Sequence, residues 1–100
     1  MQYTQVPHSY KYEVIADAIY AREIEYFHYN FDRINFEFLI SRLPDGPYKE
    51  DVCKRLLETQ AHMKNVLVLI EALRAQIDDE QAYLKAVETG EERRKIKDAK

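Results

Sequence analysis

Three carboxylates and two imidazoles stand at spacings that could do chemistry: Glu25, His28 and Asp32 in the first half of the chain, Glu58 and His62 in the second. Steps of three and four residues stack side chains on one face of a helix, so each set forms a short polar row. If the rows come from facing helices, carboxylates and neutral imidazoles converge, the donor set that carboxylate-bridged di-iron or di-manganese sites use. The same residues can instead pair among themselves. Glu58 and His62 are an ordinary i,i+4 pair, and a polar layer beside an apolar seam fixes register and oligomer number in helix bundles. Pairing is the expected role and metal binding the alternative.

The elements that must position these rows are long helices. The chain has 100 residues, with only two glycines and three prolines, none of which interrupts the two long periodic stretches. In Arg22 to Leu39 the period is 3.6 residues. Ile24, Phe27, Phe31, Ile34 and Phe38 form a 3-4-3-4 stripe, with Glu25, His28, Asp32 and Asn35 beside it and Ala18, Tyr29, Phe36 and Ile40 beyond. After a lead-in of residues 1–8, in which Pro7 marks the approach to a helix, helix 1 is expected over about 9–43 with Ser9 as N-cap. Leu43-Pro44-Asp45-Gly46-Pro47 breaks it: Pro44 disfavours helical geometry at Leu43, and Pro47 suits the first position of a new helix.

Helix 2 is expected over about 47–89, with the turn at 44–46, Gly90 as C-cap and residues 91–100 as a charged tail. Its seam runs Val52, Leu56, Thr59, Met63, Val66, Ile70, Leu73, Ile77, Glu80, Leu84 and Val87 in coiled-coil steps. So short a turn makes the helices antiparallel neighbours. Folding about residue 45 or 46 sets His28 level with about Met63, Glu25 with about Val66 and Asp32 with about Thr59, leaving Tyr83, Leu84 and Val87 without a mate. The fold class is therefore all-α, a long antiparallel coiled-coil-like hairpin. With the Ile24 to Phe38 stripe taken as the seam, Tyr26, Tyr29, Phe36 and Ile40 on helix 1 and Leu57, Val68, Ala72 and Ala75 on helix 2 remain outside it. Two helices cannot dry that surface alone, so a dimer of hairpins forming a four-helix bundle is expected.

Glu25-Tyr26-Phe27-His28 is similar to the Glu-x-x-His unit of ferritin-like proteins, and a dimerising hairpin resembles the half-bundle members of that superfamily. That resemblance implies an iron or manganese site across a dimer interface, with Glu25 and His28 as ligands, Glu58 as a bridge, His62 completing the set and Tyr29 nearby. Helix 2 departs from the pattern, because Glu58 and His62 are four residues apart rather than three.

The eight tyrosines suggest a different activity. Tyrosine offers apolar area with a polar tip and is enriched in interface cores. A docking face built from Tyr20, Tyr26, Tyr29 and Phe36 on helix 1, with Tyr83 and Val87 at the unmatched end of helix 2, is expected to bind the protein's own copies and another protein. The function expected is that of a small oligomeric interaction protein: an adaptor, assembly factor or inhibitor rather than an enzyme. No Gly-rich phosphate loop, nucleophile elbow, His-Glu-x-x-His or cysteine pair is present. The net charge of −3 argues against nucleic acid as a partner. The longest apolar run, Val66 to Ile70, is far shorter than the ~18 residues a membrane span needs. With Cys53 alone and no basic-then-apolar leader, a cytoplasmic location is expected.

Overall fold

The computed structural model describes residues 8–98, and the lead-in before His8 lies outside the described residues. Among them every regular element is a helix: α1 (His8–Arg42), α2 (Pro47–Arg74) and α3 (Glu80–Asp98). The chain is thus all-α, and no helix among the described residues is long and apolar enough to cross a membrane. Two compact units divide it, one made of 1–21 with 71–100 and the other of 22–70, so that α1 and α2 each contribute to both.

In the 22–70 unit the turn forms where the prolines require it. Leu43 N–H closes on Leu39 O at 2.9 Å, ending α1, and Glu50 N–H reaches Gly46 O at 3.0 Å as α2 starts. Gly46 has φ +155°, a conformation that only glycine adopts without strain. The helices then lie antiparallel. The ring of Tyr29 stacks on that of His62, with centroids 5.2 Å apart and planes 14° from parallel, which is the register that folding about residue 45 or 46 demands. α2 presents the expected seam: Val52, Thr59, Met63 and Val66 are buried, with Leu56 half-buried between them and Ile70 half-buried beyond Val66.

α1 faces this seam with a stripe other than the expected one. Over 22–43 its half-buried positions centre on Arg22, Tyr26, Tyr29, Arg33, Phe36, Ile40 and Leu43, whereas Ile24, Phe27, Phe31, Ile34 and Phe38 are all exposed. The reason lies in continuity. Extended toward the N-terminus in alternating steps of three and four, the stripe through Tyr26 and Tyr29 reaches Ile19, Ile15 and Tyr12, all buried. The stripe through Ile24 meets Tyr20 and then Asp17, both exposed. Along α1 only the first stripe stays apolar or amphipathic from Tyr12 to Leu43, whereas the second is broken by the Asp17 carboxylate.

The second difference is the end of α2. Helix 2, expected to continue to about Thr89, stops at Arg74, and α3 begins at Glu80. The last turn tightens into i,i+3 bonds, from Gln76 N–H to Leu73 O at 3.1 Å and from Ile77 N–H to Arg74 O at 3.0 Å. Asp79 then caps α3, its Oδ1 accepting Ala82 N–H at 3.1 Å while its carbonyl takes Tyr83 N–H at 3.1 Å. Glu80 adds charge at the positive end of the helix dipole. Gly90, expected as a C-cap, lies inside α3, and residues 91–98 are helical rather than a separate tail. At the other end α1 starts at His8, one residue before the expected N-cap Ser9.

In the unit of 1–21 and 71–100, α3 runs alongside the start of α1 in the same direction. Tyr12 is joined to Asp78, Asp17 lies beside Gly90 and pairs with Arg93, and Tyr20 meets Arg94. Tyr12, Ile15, Ala16 and Ile19 pack with Tyr83, Ala86 and Gly90 into a small core. Tyr12 and Ile19 are its largest fully enclosed side chains.

Candidate functional site

The metal-ligand set is not assembled within one chain. Among the described residues no group of three or more His, Cys, Asp and Glu side chains lies close enough to hold an ion. Local contacts account for two of the expected ligands: Glu25 Oε2 receives Arg22 Nη1 at 3.1 Å, and His62 stacks on Tyr29. His28 and Glu58 are exposed, as are Asp32 and Asn35. With the Ile24 stripe turned outward, the polar row beside it borders solvent and is not enclosed between two apolar strips.

The six residues expected to form a docking face are divided by the fold. Tyr26, Tyr29 and Phe36 are half-buried in the α1–α2 seam. Tyr83 is buried and Val87 is half-buried, because α3, which carries both, folds back along the start of α1 and so gains the mate that a straight helix 2 would have lacked. Tyr20 is exposed, and the Arg94 guanidinium lies 3.6 Å from its ring centroid, a cation–π contact.

What the fold leaves open is the stripe on α1. Ile24, Phe27, Phe31, Ile34 and Phe38 are 39, 66, 60, 50 and 56 % exposed. Together these side chains present roughly 500 Å² of apolar surface in one line, within the range of the largest patches on monomeric proteins, which are often functional. The distribution of residue types is inverted from that of an ordinary surface helix. The α2-facing line mixes arginine and tyrosine with Phe36, Ile40 and Leu43, while the outward line over 24–38 carries only isoleucine and phenylalanine. Arg33 shows how the inner line tolerates its charge. Its Nε and Nη2 donate to Asn30 Oδ1 at 3.0 and 2.9 Å, and its Nη1 meets Glu37 Oε2 at 2.9 Å, so the stem can lie in the seam with the head group satisfied at its edge.

Charge around the stripe is arranged on both flanks. Glu23, Asn30 and Glu37 run along one side, His28, Asn35 and Arg42 along the other, and the Arg42 guanidinium sits 4.7 Å from the Phe38 ring centroid. α2 also exposes Leu57, Leu67, Val68 and Leu69, at 44 to 66 %. Near the turn an open groove of about 490 Å³ passes Gly46, Lys49, Cys53 and Leu57, and Cys53 is a free thiol, half-buried.

The Tyr12 hydroxyl departs strongly from its ordinary behaviour. It donates to Asp78 Oδ1, and this bond, with burial and the nearby charges of Asp78 and Asp79, pushes its pKa from 10.0 up to about 12. Lys11 Nζ lies 3.6 Å from the other Asp78 oxygen. The group fastens the start of α1 to the α2–α3 joint and belongs to the core of its unit. No protein-family model matches this chain, and no curated protein or solved structure is detectably similar to it.

Proposed function

We propose that this is a small helical interaction protein that works as an oligomer and acts by binding protein surfaces, as an adaptor, assembly factor or inhibitor, through the outward stripe of α1. The observation that supports it is the run Ile24, Phe27, Phe31, Ile34 and Phe38, at least 39 % exposed at every position and interrupted by no polar side chain within the stripe. Leaving such a line wet costs about 25 cal/mol per Å². A chain that places its least polar stripe outward while arginines sit in its inner seam has a use for that stripe beyond its own folding. Helical faces of this kind are read by other helices laid along them. The lone Cys53 fits a reducing compartment for this role, the cytoplasm.

A photo-crosslinking amino acid in place of Phe31, illuminated in the native host, tests the reading. An adduct above the mass of one chain is expected from position 31 and not from Gln60, which is exposed on α2. Position 31 giving no more adduct than position 60 would refute it.

A further inference from the structure

The geometry points to a second copy of this chain as the occupant of the α1 stripe, laid parallel and in register with it to form a two-stranded coiled coil along residues 23–42. This rests on the docking-face reading and specifies what docks.

Three observations carry it. The first is spacing: 24, 27, 31, 34 and 38 alternate by three and four, the repeat that keeps a seam facing a partner helix through a left-handed supercoil. The second is placement. At 100° per residue the stripe lies on the side of α1 opposite the line of Tyr26, Tyr29, Arg33, Phe36 and Ile40 that faces α2. A helix can therefore dock on it without disturbing the hairpin, and the contact is α1 on α1 rather than a closed bundle of four helices. About 500 Å² of apolar surface per copy, widened by the flanking side chains, reaches the ~800 Å² per partner of a stable interface.

The third observation is charge, and it decides the orientation. In a parallel, in-register pair each residue just before a seam position meets the residue five further along on the other copy. Glu23 then meets His28, Asn30 meets Asn35 and Glu37 meets Arg42, each contact occurring twice by symmetry; the last is an opposite-charge pair, the first two can hydrogen-bond, and none sets like charges together. Antiparallel packing does worse in both registers that keep four of the five stripe residues in contact. The one that sets Ile24 against Ile34 and Phe27 against Phe31 brings Glu23 against Glu37 twice and His28 against its own copy. The one that sets Phe27 against Phe38 leaves Ile24 facing Ser41.

The test uses the full chain with Cys53→Ser, so that no native thiol competes. Ser41 continues the seam by three residues beyond Phe38, is exposed, and only bonds its own helix at Phe38 O, so Ser41→Cys leaves the apolar line intact. In the parallel pair the two introduced thiols come within disulfide reach. In either antiparallel register they stand at least about 25 Å apart. The expected results are a dimer in sedimentation equilibrium, rapid air-oxidised crosslinking of the Ser41→Cys chain, and loss of both on adding Phe31→Glu. Glu37→Lys should raise the dimer Kd about tenfold, and Glu37→Lys with Arg42→Glu should recover most of it. A dimer that never crosslinks through Ser41→Cys, or a Glu37→Lys defect that Arg42→Glu does not relieve, overturns the arrangement. A monomer at hundreds of micromolar overturns the second copy as occupant. In that case a photo-adduct of position 31 with a different protein would leave the docking-face reading standing, and its absence would remove both.

Discussion

Replacing Ile19 and Ile34 by alanine, one at a time, compares the same truncation on the same helix in opposite surroundings. Ile19 is 2 % exposed and Ile34 is 50 % exposed. Each change deletes three carbons, worth about 2.4 kcal/mol of transfer free energy when fully buried. At Ile19 the space is enclosed by its neighbours, so a cavity contribution adds to the transfer loss, while alanine's better helix propensity returns about 0.4 kcal/mol. The net cost should be about 3 kcal/mol. At Ile34 half of the surface is already wet and no closed cavity forms, so about 1 kcal/mol is lost and a cost near 0.5 kcal/mol remains. Urea unfolding followed by circular dichroism at 222 nm, at low micromolar chain concentration, reads both. The Ile19→Ala midpoint should fall well below the wild-type value with an unchanged m, and that of Ile34→Ala should barely move. Repeated at high concentration, the Ile34→Ala deficit should grow, since association would then cover the stripe in the wild-type chain only. Equal costs at low concentration would refute the reasoning, because they would mean that the chain buries Ile34 by itself.

Raising the pH should expose the Tyr12–Asp78 bond. With a folded pKa of about 12 against 10.0 in the open chain, its contribution to stability is complete below pH 10 and is lost as the pH climbs from 10 toward 12. Absorbance at 295 nm should show a late ionising component that Tyr12→Phe removes, and a titration unchanged by that substitution would count against the bond. Asp79→Ala should cost about 1 kcal/mol and speed amide exchange at Ala82, whose N–H the carboxylate accepts; unaltered exchange there would mean that the cap does not hold α3. Gly46→Ala should destabilise the turn by about 1 kcal/mol. The added Cβ would meet nothing within 4 Å, so the cost comes from φ +155° alone, and equal melting temperatures would dismiss it.

The hairpin was legible because its signals are local. Pro44, Gly46 and Pro47 specify a reversal whatever surrounds them, and α2 carries one dominant stripe, so its seam from Val52 to Ile70 is where the period puts it. α1 carries two stripes of similar strength, and counting apolar side chains over 24–38 favours the wrong one. Following each stripe down to Tyr12 would have separated them, because the inner line continues through Ile19 and Ile15 and the outer one runs into Asp17. The break after Arg74 contains neither glycine nor proline. Its sign is Asp78-Asp79-Glu80, a cap and an acidic first turn set within what otherwise reads as an unbroken heptad.

By itself the sequence determined that the chain is helical, that it reverses near residue 45, and which line of α2 faces inward. Each of these follows from backbone preference or from a single periodicity. Only the tertiary structure decided which line of α1 meets α2, that α3 turns back along the start of α1 to bury Tyr83, and that Ile24 to Phe38 is left uncovered. Those outcomes depend on competition between surfaces of comparable hydrophobicity, which no short stretch of residues records.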